Sequence, residues 1–327
     1  MRSRTEPALP MTLWHLSDLF LKSLSGIQIP LDPATAQRIG HADGCDILTH
    51  LCILCSGMLL VLLACQAVGV VVAKSFRLGR RKTVKISHCF SEMAYYVFSV
   101  FTLTRLCWHA PWFWPSGWHQ VMLDGRVQEI TTLLPYTAPA DLKFFYLLET
   151  SYYLTSFLLL CWRPKKKDFQ QMAFHHVITA ALLLLSYYAG YIRIGVVVMY
   201  LHNLFDPFLL LAKCTHYAKI PYMPNVFFFS CAVTFAISRL LLYPLAIFHA
   251  WMGVCNGNQS CPGGVWDKTP IEFSLFGLLL FLLPIHVFWF MMIVKVLVIA
   301  LRSDGVQGDV RSDSENEDES TTTKKHD

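Results

Sequence analysis

Charged residues are scarce in this chain. Asp, Glu, Lys and Arg make up 15% of its 327 residues, whereas 54% are hydrophobic and the mean hydropathy is +0.44. This balance is too apolar for an ordinary water-soluble fold of this length. The N-terminus also lacks the ordered regions of a cleaved signal peptide, because the first long apolar run begins only near Ile47. We therefore expect a polytopic membrane protein that keeps its first membrane helix.

Two other classes of protein lack their signatures here. No basic face interleaved with aromatic residues occurs outside the short Lys and Arg blocks between apolar segments, which argues against nucleic-acid binding. The HxxxH and HxxHH boxes of di-iron lipid oxidases are also missing. We therefore predict neither a nucleic-acid partner nor a bound metal.

Seven apolar runs are long enough to cross a bilayer, which takes roughly 20 residues. They lie at about 47–73, 90–113, 143–161, 171–189, 192–212, 225–250 and 272–301. The third run is the weakest, because Glu149 and several Tyr and Thr residues dilute it. The fold class predicted is an all-α polytopic membrane protein with about seven transmembrane helices.

The Lys and Arg content of the loops predicts the orientation. The loops after the first and third runs are basic and should be cytosolic, whereas 109–142 and 251–270 have one basic residue each and should be luminal. Seven spans then give a luminal N-terminus and a cytosolic C-terminus. The predicted units are a luminal segment at 1–46, the first helix and its basic loop at 47–84, a membrane domain at 85–303 and an acidic, disordered tail at 304–327.

The predicted luminal loop before the last run has two features of the secretory pathway. Asn258 begins the sequon Asn258-Gln259-Ser260, which predicts glycosylation. Cys255 and Cys261 flank this sequon, and a disulfide between them would persist in an oxidising compartment. Both the bonded and the free state of these two cysteines stay open.

The predicted cytosolic tail has sites that other proteins read. Ser312, Ser314 and Ser320 lie in acidic surroundings and are candidates for phosphorylation. Lys324 and Lys325 stand near the end of the chain, in the arrangement of the di-lysine retrieval signal that coat proteins bind at the endoplasmic reticulum. A merely solvated tail is the alternative.

Polar residues that are costly to bury lie on two neighbouring apolar runs. In lipid such residues are uncommon and usually functional. Helical spacing gathers them into one stripe on each run. The stripe on the fourth run consists of His175, His176, Thr179, Ser186 and Tyr187. The stripe on the fifth run consists of Gly195, His202, Asn203, Asp206 and Lys213. We expect the two stripes to face each other.

This arrangement suits acyl transfer. A neutral imidazole in an apolar cavity can act as a base or as a nucleophile, and a carboxylate near it fixes the tautomer and balances the charge. Basic residues such as Lys167 and Lys213 at the cytosolic mouth suit a phosphate-bearing substrate, and the membrane interior suits a lipid tail. Acyl-CoA and a lipid acceptor are therefore the expected substrates. The alternatives are core histidines with satisfied hydrogen bonds, and lysines that only anchor the helices.

The stretch KDFQQMAFHHVITAALLLLSYYAGYIRIG, followed by LHNLFDPFLLLAK, resembles the longevity-assurance motif of the ceramide synthases, within the TLC membrane domain. Weaker matches are KISHCFSEMAYYVF, FYLLETSYYL and SRLLLYP. The resemblance covers residues 85–300 and implies six helices in a TLC-type bundle around a central cavity. It also implies an enzyme of the endoplasmic reticulum that joins a fatty acyl-CoA to a sphingoid long-chain base, giving (dihydro)ceramide and CoA without a bound cofactor. Relatives are thought to form homo- or heterodimers.

The resemblance assigns the catalytic set to His175, His176, His202 and Asp206. One histidine of the pair either attacks the thioester or removes a proton from the sphingoid amine, and both routes stay open. The chain departs from the family at Asn203, where aspartate is usual, and at Leu210, where glutamate is usual. Asn203 can orient an imidazole but supplies no charge, which leaves Asp206 as the acid.

The remaining candidates are expected to bind substrate, and they are Asn203, Lys213, Lys167, Ser186, Tyr187 and Arg239. We expect Arg239, with Tyr243 one turn further on, to hold a carbonyl or another helix. Two other functions stay open. One is a non-enzymatic TLC-domain protein that senses lipids or assists translocation, and the other is a transporter that uses the polar stripe as a relay.

Overall fold

The computed structural model describes residues 44–116, 118, 140–163, 168–188, 191–257 and 270–302. Within these ranges the chain is helical and has no strand, which confirms the predicted all-α class. The α-helices are α1 (Gly44–Ser75), α2 (Arg80–Cys107), α3 (Ala140–Trp162), α4 (Phe169–Tyr188), α5 (Ile192–Asn203), α6 (Asp206–Tyr217), α7 (Met223–Phe235), α8 (Tyr243–Gly257) and α9 (Pro270–Arg302). A 3₁₀ turn follows α2 at Pro111–Phe113, and a π-helical segment at Ala236–Leu242 joins α7 to α8.

Six helical segments of the described residues are long and apolar enough to cross a membrane. They are His50–Ser75, Asp141–Trp162, Phe169–Tyr187, Ile192–Tyr217, Met223–Met252 and Glu272–Ala300. The run predicted at 90–113 falls largely in α2, which has 28 residues but is diluted by Glu92, Arg105 and many Ser, Thr and Tyr residues. Six of the seven predicted spans thus have a matching helix, and the count of seven stays a prediction.

Helix α2 packs against α1 through small residues. Thr83, Ser87, Ser91 and Ser99 are buried along one face of α2. A Cβ atom on Gly69 of α1 would lie 2.8 Å from the Cα atom of Ser87, so the two backbones approach more closely than any side chain allows. Small residues at such contacts are typical of membrane helices. Ser87 of α2 thus lies at a close contact with α1, whereas Ser99 donates to Glu149 of α3.

The core lies between the helices, and the outer surface is apolar. One cluster of buried residues joins α3, α4, α5, α8 and α9, with Tyr146 and Val196 fully buried. A second cluster lies around Phe235, between α6, α7 and α9. Large apolar side chains such as Leu60 and Phe281 are exposed on the outside. Water-soluble monomers rarely expose so much apolar surface, so this outer face fits lipid.

The fifth predicted run contains a break. Helix α5 ends at Asn203 and α6 begins at Asp206, because Pro207 has no N–H to donate and its ring crowds the carbonyl four residues earlier. The N–H groups of Phe208 and Leu209 donate to the carbonyl of Phe205, at 3.1 and 3.3 Å, and start a new turn. The predicted span at 192–212 thus matches one membrane-length segment, Ile192–Tyr217, that is interrupted before Pro207.

Candidate active site

The histidine pair of α4 faces the interior of the bundle. His175 and His176 are 6% and 7% exposed. The ring of His175 lies 6.2 Å from the ring of His202 on α5, with an angle of 18° between the planes, and 5.1 Å from the ring of Trp289 on α9. The Nδ1 atoms of both residues in the pair have no hydrogen-bond partner in the described part of the chain. The polar stripes of α4 and α5 therefore face each other, as predicted.

His202 is held by two neighbours that fix its tautomer. Its Nδ1 atom lies 2.8 Å from the carbonyl oxygen of Val198, which can only accept, so Nδ1 carries the proton. In a neutral ring Nε2 is then an acceptor, and it lies 3.1 Å from Nε2 of His286. His286 therefore donates to His202. Its own Nδ1 atom is buried without a partner among the described residues.

His286 was missed by the sequence analysis. It lies on α9, is fully buried, and is 84 residues further along the chain than His202. The signal that could have found it is the one that identified the pair, namely an imidazole inside an apolar helix. In the described ranges no group of three or more His, Cys, Asp and Glu residues is arranged to hold a metal ion.

Arg239 bridges the break between α5 and α6. It lies in the π-helical segment, where π-helical turns often mark functional sites, and is 3% exposed. Its Nη2 atom donates to the carbonyl of His202 at 2.7 Å and to Oδ2 of Asp206 at 3.4 Å, and its guanidinium lies 4.3 Å from the ring centre of Phe205. The carbonyl is one of the last four of α5, which lack helical partners. Arg239 thus contacts a carbonyl and another helix, as expected.

Asp206 does not orient His202. Both ring nitrogens of His202 are bonded elsewhere, to Val198 and His286, while Asp206 accepts from Arg239. That Asp206 orients the histidine pair and balances its charge stays a prediction.

Asn203 has a different partner from the one expected. Its Nδ2 atom lies 3.2 and 3.3 Å from the two carboxylate oxygens of Glu149, and its Oδ1 atom accepts from the hydroxyl of Tyr153 at 3.1 Å. Ser99 also donates to Glu149, which is fully buried. The amide therefore holds a second acid and not an imidazole. An aspartate at this position would place a second carboxylate in contact with that of Glu149, and the two negative charges would repel each other.

Three cavities lie against the histidines, and each is lined by a different subset of them. The apolar cavity, of about 60 Å³, extends from His202 and Tyr153 at one end to Tyr191 and Glu272 at the other. The mouth cavity, of about 140 Å³, reaches the histidine pair and is also lined by Asp206, Leu210, Lys213 and Arg239. The lateral cavity, of about 110 Å³, reaches His176 from the side of α1, α2 and α3.

The other predicted site residues have mixed outcomes. Lys213 lines the mouth cavity, and Ser186 lines the apolar cavity and bonds to the hydroxyl of Tyr146. Tyr187 is buried with its ring 5.9 Å from that of Tyr146. The remaining predictions fall outside the described residues, namely those on Lys167, Asn258, Cys261, Ser312, Ser314, Ser320, Lys324, Lys325 and the side chain of Cys255.

The sequence matches a known family of membrane domains. The TLC domain family model matches residues 85–295. This chain belongs to the TLC-domain family. Among its TLC-domain relatives, ceramide synthase LOH2 of Arabidopsis thaliana is 29% identical over 247 residues, which cover 73% of this chain and 78% of that protein. Ceramide synthase LOH1 of the same plant is 30% identical, with 69% and 71% covered. Ceramide synthase 5 of Homo sapiens is 30% identical, with 67% and 53% covered.

Proposed function

We propose that this TLC-domain protein is a ceramide synthase, an acyl-CoA-dependent sphingoid-base N-acyltransferase. It joins the acyl group of a fatty acyl-CoA to the amine of a sphingoid long-chain base and releases CoA. The observation that carries this proposal is that an apolar cavity and a mouth cavity of mixed charge both reach buried imidazoles. The relatives whose names specify ceramide synthase support the same reaction.

The apolar cavity has the right length for an acyl chain. It follows α5 from His202 to Tyr191, eleven residues apart, which is about 16 Å of helix. A bilayer core of about 30 Å is two acyl chains thick, so one long chain matches this length. Because the cavity holds only about 60 Å³, its lining side chains must move apart when the chain enters. The thioester would then lie at the histidines, with the CoA phosphates toward Lys213 and Arg239 in the mouth cavity.

The histidine pair can perform the transfer in two ways. As a base, His175 or His176 takes a proton from the sphingoid amine while the amine nitrogen bonds to the thioester carbon. The C–S bond then breaks, and the CoA thiolate takes the proton from the imidazole. As a nucleophile, the imidazole displaces CoA first, and the amine then cleaves the acyl-imidazole. In both routes the acyl group moves from the sulfur of CoA to the amine nitrogen, and one proton moves from that nitrogen to the sulfur. The unbonded Nδ1 atoms of the pair suit either route.

The surrounding residues position this pair. The His202–His286 hydrogen bond holds an imidazole in stacking contact with His175, and Arg239 holds the carbonyl end of α5 that carries His202. Asp206 balances the charge of Arg239 at the mouth cavity. Asn203 and Tyr153 connect the buried Glu149 to the wall of the site.

The test is turnover by the purified protein in lipid nanodiscs. Incubated with palmitoyl-CoA and sphinganine, it is expected to give dihydroceramide and free CoA thiol in equal amounts. A lipid-sensing or translocation-associated protein, or a transporter, would bind or move the substrates and give neither product. Absence of both products from a folded, monodisperse sample would contradict the proposal.

We also propose the location, on sequence grounds. The six long apolar helices make the chain a multi-pass membrane protein. The basic loops and the Lys324–Lys325 pair suggest the endoplasmic reticulum, retrieval by coat proteins, a luminal N-terminus and a cytosolic C-terminus. Homo- or heterodimers are proposed from the family resemblance. Loss of a glycosidase-sensitive mass shift in Asn258→Gln would support the luminal position of that loop, and a wild-type protein without such a shift would count against it.

A further inference from the structure

The proposed function leaves the lateral cavity without an assigned substrate. We propose that it binds the amino-diol head of the sphingoid base, with Glu92 receiving the ammonium group. This inference rests on the proposed function and assigns the second substrate to a site of its own. The residues that carry it are Gln66, Ser91, Glu92, Ser156 and His176.

The polar groups of the lateral cavity match the chemistry of the head group. A sphingoid base offers one ammonium and two hydroxyls, which need acceptors and a negative charge. The cavity supplies the carboxylate of Glu92, the hydroxyl oxygens of Ser91 and Ser156, and the amide of Gln66. Ser91 donates its own proton to the carbonyl of His88 at 2.9 Å, so its oxygen is left as an acceptor. In the apolar cavity the carboxylate, Glu272, lies at the end away from His202.

The lateral cavity also delivers the amine to the reacting groups. Glu92, Tyr96, Met172 and His176 line both this cavity and the mouth cavity, so they form the wall between the two. An amine held by Glu92 therefore lies beside His176, while the thioester approaches from the mouth cavity. Substrates of opposite charge would reach the histidine pair from opposite sides.

The ion pair between Glu92 and Arg163 is too weak to be the sole role of the Glu92 carboxylate. Nη1 of Arg163 lies 2.9 Å from Oε1 of Glu92, and the side chains of Arg163 and Glu92 are 30% and 36% exposed. Ion pairs with this exposure stabilise a fold by about 0–1 kcal/mol. Arg163 also contacts Nδ1 of His88 at 3.1 Å. Since a carboxylate accepts several hydrogen bonds, Glu92 can hold an ammonium while it stays bonded to Arg163.

Helix α1 completes this site from outside the family-matched region. Gln66 and Leu62 lie on α1, before residue 85, where the TLC-domain match begins. The close approach at Gly69, one turn from Gln66, brings this part of α1 against α2 beside Ser91 and Glu92. The first membrane helix would thus contribute to recognition of the base as well as to anchoring.

The experiment measures separate KM values for sphinganine and palmitoyl-CoA in nanodiscs. Glu92→Gln is expected to raise the KM for sphinganine about tenfold or more, because a charge-assisted hydrogen bond is lost, and to leave the KM for palmitoyl-CoA within about twofold. Gln66→Leu should raise only the sphinganine KM, by a few-fold. Ser56→Ala is the control on the same helix, because Ser56 is exposed and its hydroxyl donates to the carbonyl of Cys52 one turn earlier. This variant should change neither the sphinganine KM nor the palmitoyl-CoA KM.

Arg163→Gln separates substrate binding from a structural ion pair. If Glu92 served only to hold Arg163, both single variants would raise the sphinganine KM alike, and the inference would be overturned. The inference predicts instead that Arg163→Gln leaves this KM unchanged or lowers it, because a competing cation is gone. If Glu92→Gln does not fold, Gln66→Leu decides, and an unchanged sphinganine KM there overturns the inference. Absence of dihydroceramide from the wild type would refute the proposed function itself, whereas normal wild-type turnover with unaltered KM values refutes only this inference.

Discussion

Gly195→Ala tests whether the apolar cavity holds the acyl chain. Gly195 lies on α5 and lines this cavity together with Tyr146 and Ser186. A Cβ atom at position 195 would lie 2.0 Å from the hydroxyl oxygen of Tyr146, where ordinary contact begins at 3.4 Å. The Tyr146 hydroxyl must therefore move by about 1.4 Å, which is 3.4 minus 2.0. Because Tyr146 is fully buried, its ring can move only by losing its bond to Ser186 and entering the cavity.

The cost of this change follows from that displacement. Overpacking costs about 1–3 kcal/mol, and the lost hydrogen bond about 0.5–1.5 kcal/mol. The helical preference of alanine over glycine returns up to about 1 kcal/mol. Position 195 is seven residues from His202, so the obstruction lies about 10 Å from the imidazole. Long acyl chains would meet it, and short chains would end before it.

The assay is kcat/KM across a series of acyl-CoA lengths, with sphinganine held constant. We expect Gly195→Ala to lower kcat/KM for the longest substrates about tenfold, which corresponds to about 1.4 kcal/mol, and to spare the short ones. Gly57→Ala on α1 is the matched control, because nothing lies within 4 Å of its added Cβ atom, and it should leave the series unchanged. Equal losses for long and short chains, or an unchanged series in a folded variant, would refute the assignment of this cavity.

Three further substitutions probe the groups around the histidines. Asn203→Asp places a second carboxylate about 3.2 Å from Glu149, so the two acids must share a proton. Because this proton is lost as the pH rises, the activity of the variant should fall with rising pH relative to wild type. An unchanged pH profile would contradict this. His286→Leu removes the hydrogen-bond donor to His202 and should lower kcat about tenfold without changing either KM. His286→Gln keeps a donor and should retain part of the rate. Equal rates in the two variants would argue against a role of this hydrogen bond. Arg239→Gln removes the charged bridge between α5 and α6 and should destabilise the fold by about 1.5–3 kcal/mol, measured by thermal unfolding in detergent. Arg239→Lys should be less affected. An unaltered unfolding temperature would show that the bridge does not stabilise the fold.

Much of the site could be predicted because its central residues are close in the sequence. His175, His176 and His202 lie on consecutive apolar runs, and helical periodicity alone turns them toward each other. The partners of these residues could not be predicted in the same way. Glu149 and His286 meet Asn203 and His202 across 54 and 84 residues of chain, and nothing in local spacing encodes which helices pack together.

The departures from regular helix mark the limits of the sequence reasoning about the fold. Pro207 directly after Asp206 is a typical helix start and could have predicted the break in the fifth run. The π-helical segment Ala236–Leu242, which carries Arg239, is followed by Pro244, and a proline has no N–H for the regular helical bond, so this irregularity also had a marker in the sequence. The hydropathy of α2 does not show how its serines are buried, because Ser87 packs against Gly69 of α1 and Ser99 bonds to Glu149 of α3.

Substitution of each residue of the histidine pair tests the central claim most directly. His175→Ala and His176→Ala, each expressed at the wild-type level in washed membranes, are assayed for dihydroceramide formed from palmitoyl-CoA and sphinganine, with His216→Ala as a control outside the three cavities. The loss of a base or nucleophile should lower the rate at least about 100-fold in each variant of the pair, and leave the control active. Full activity in both single variants would contradict the account.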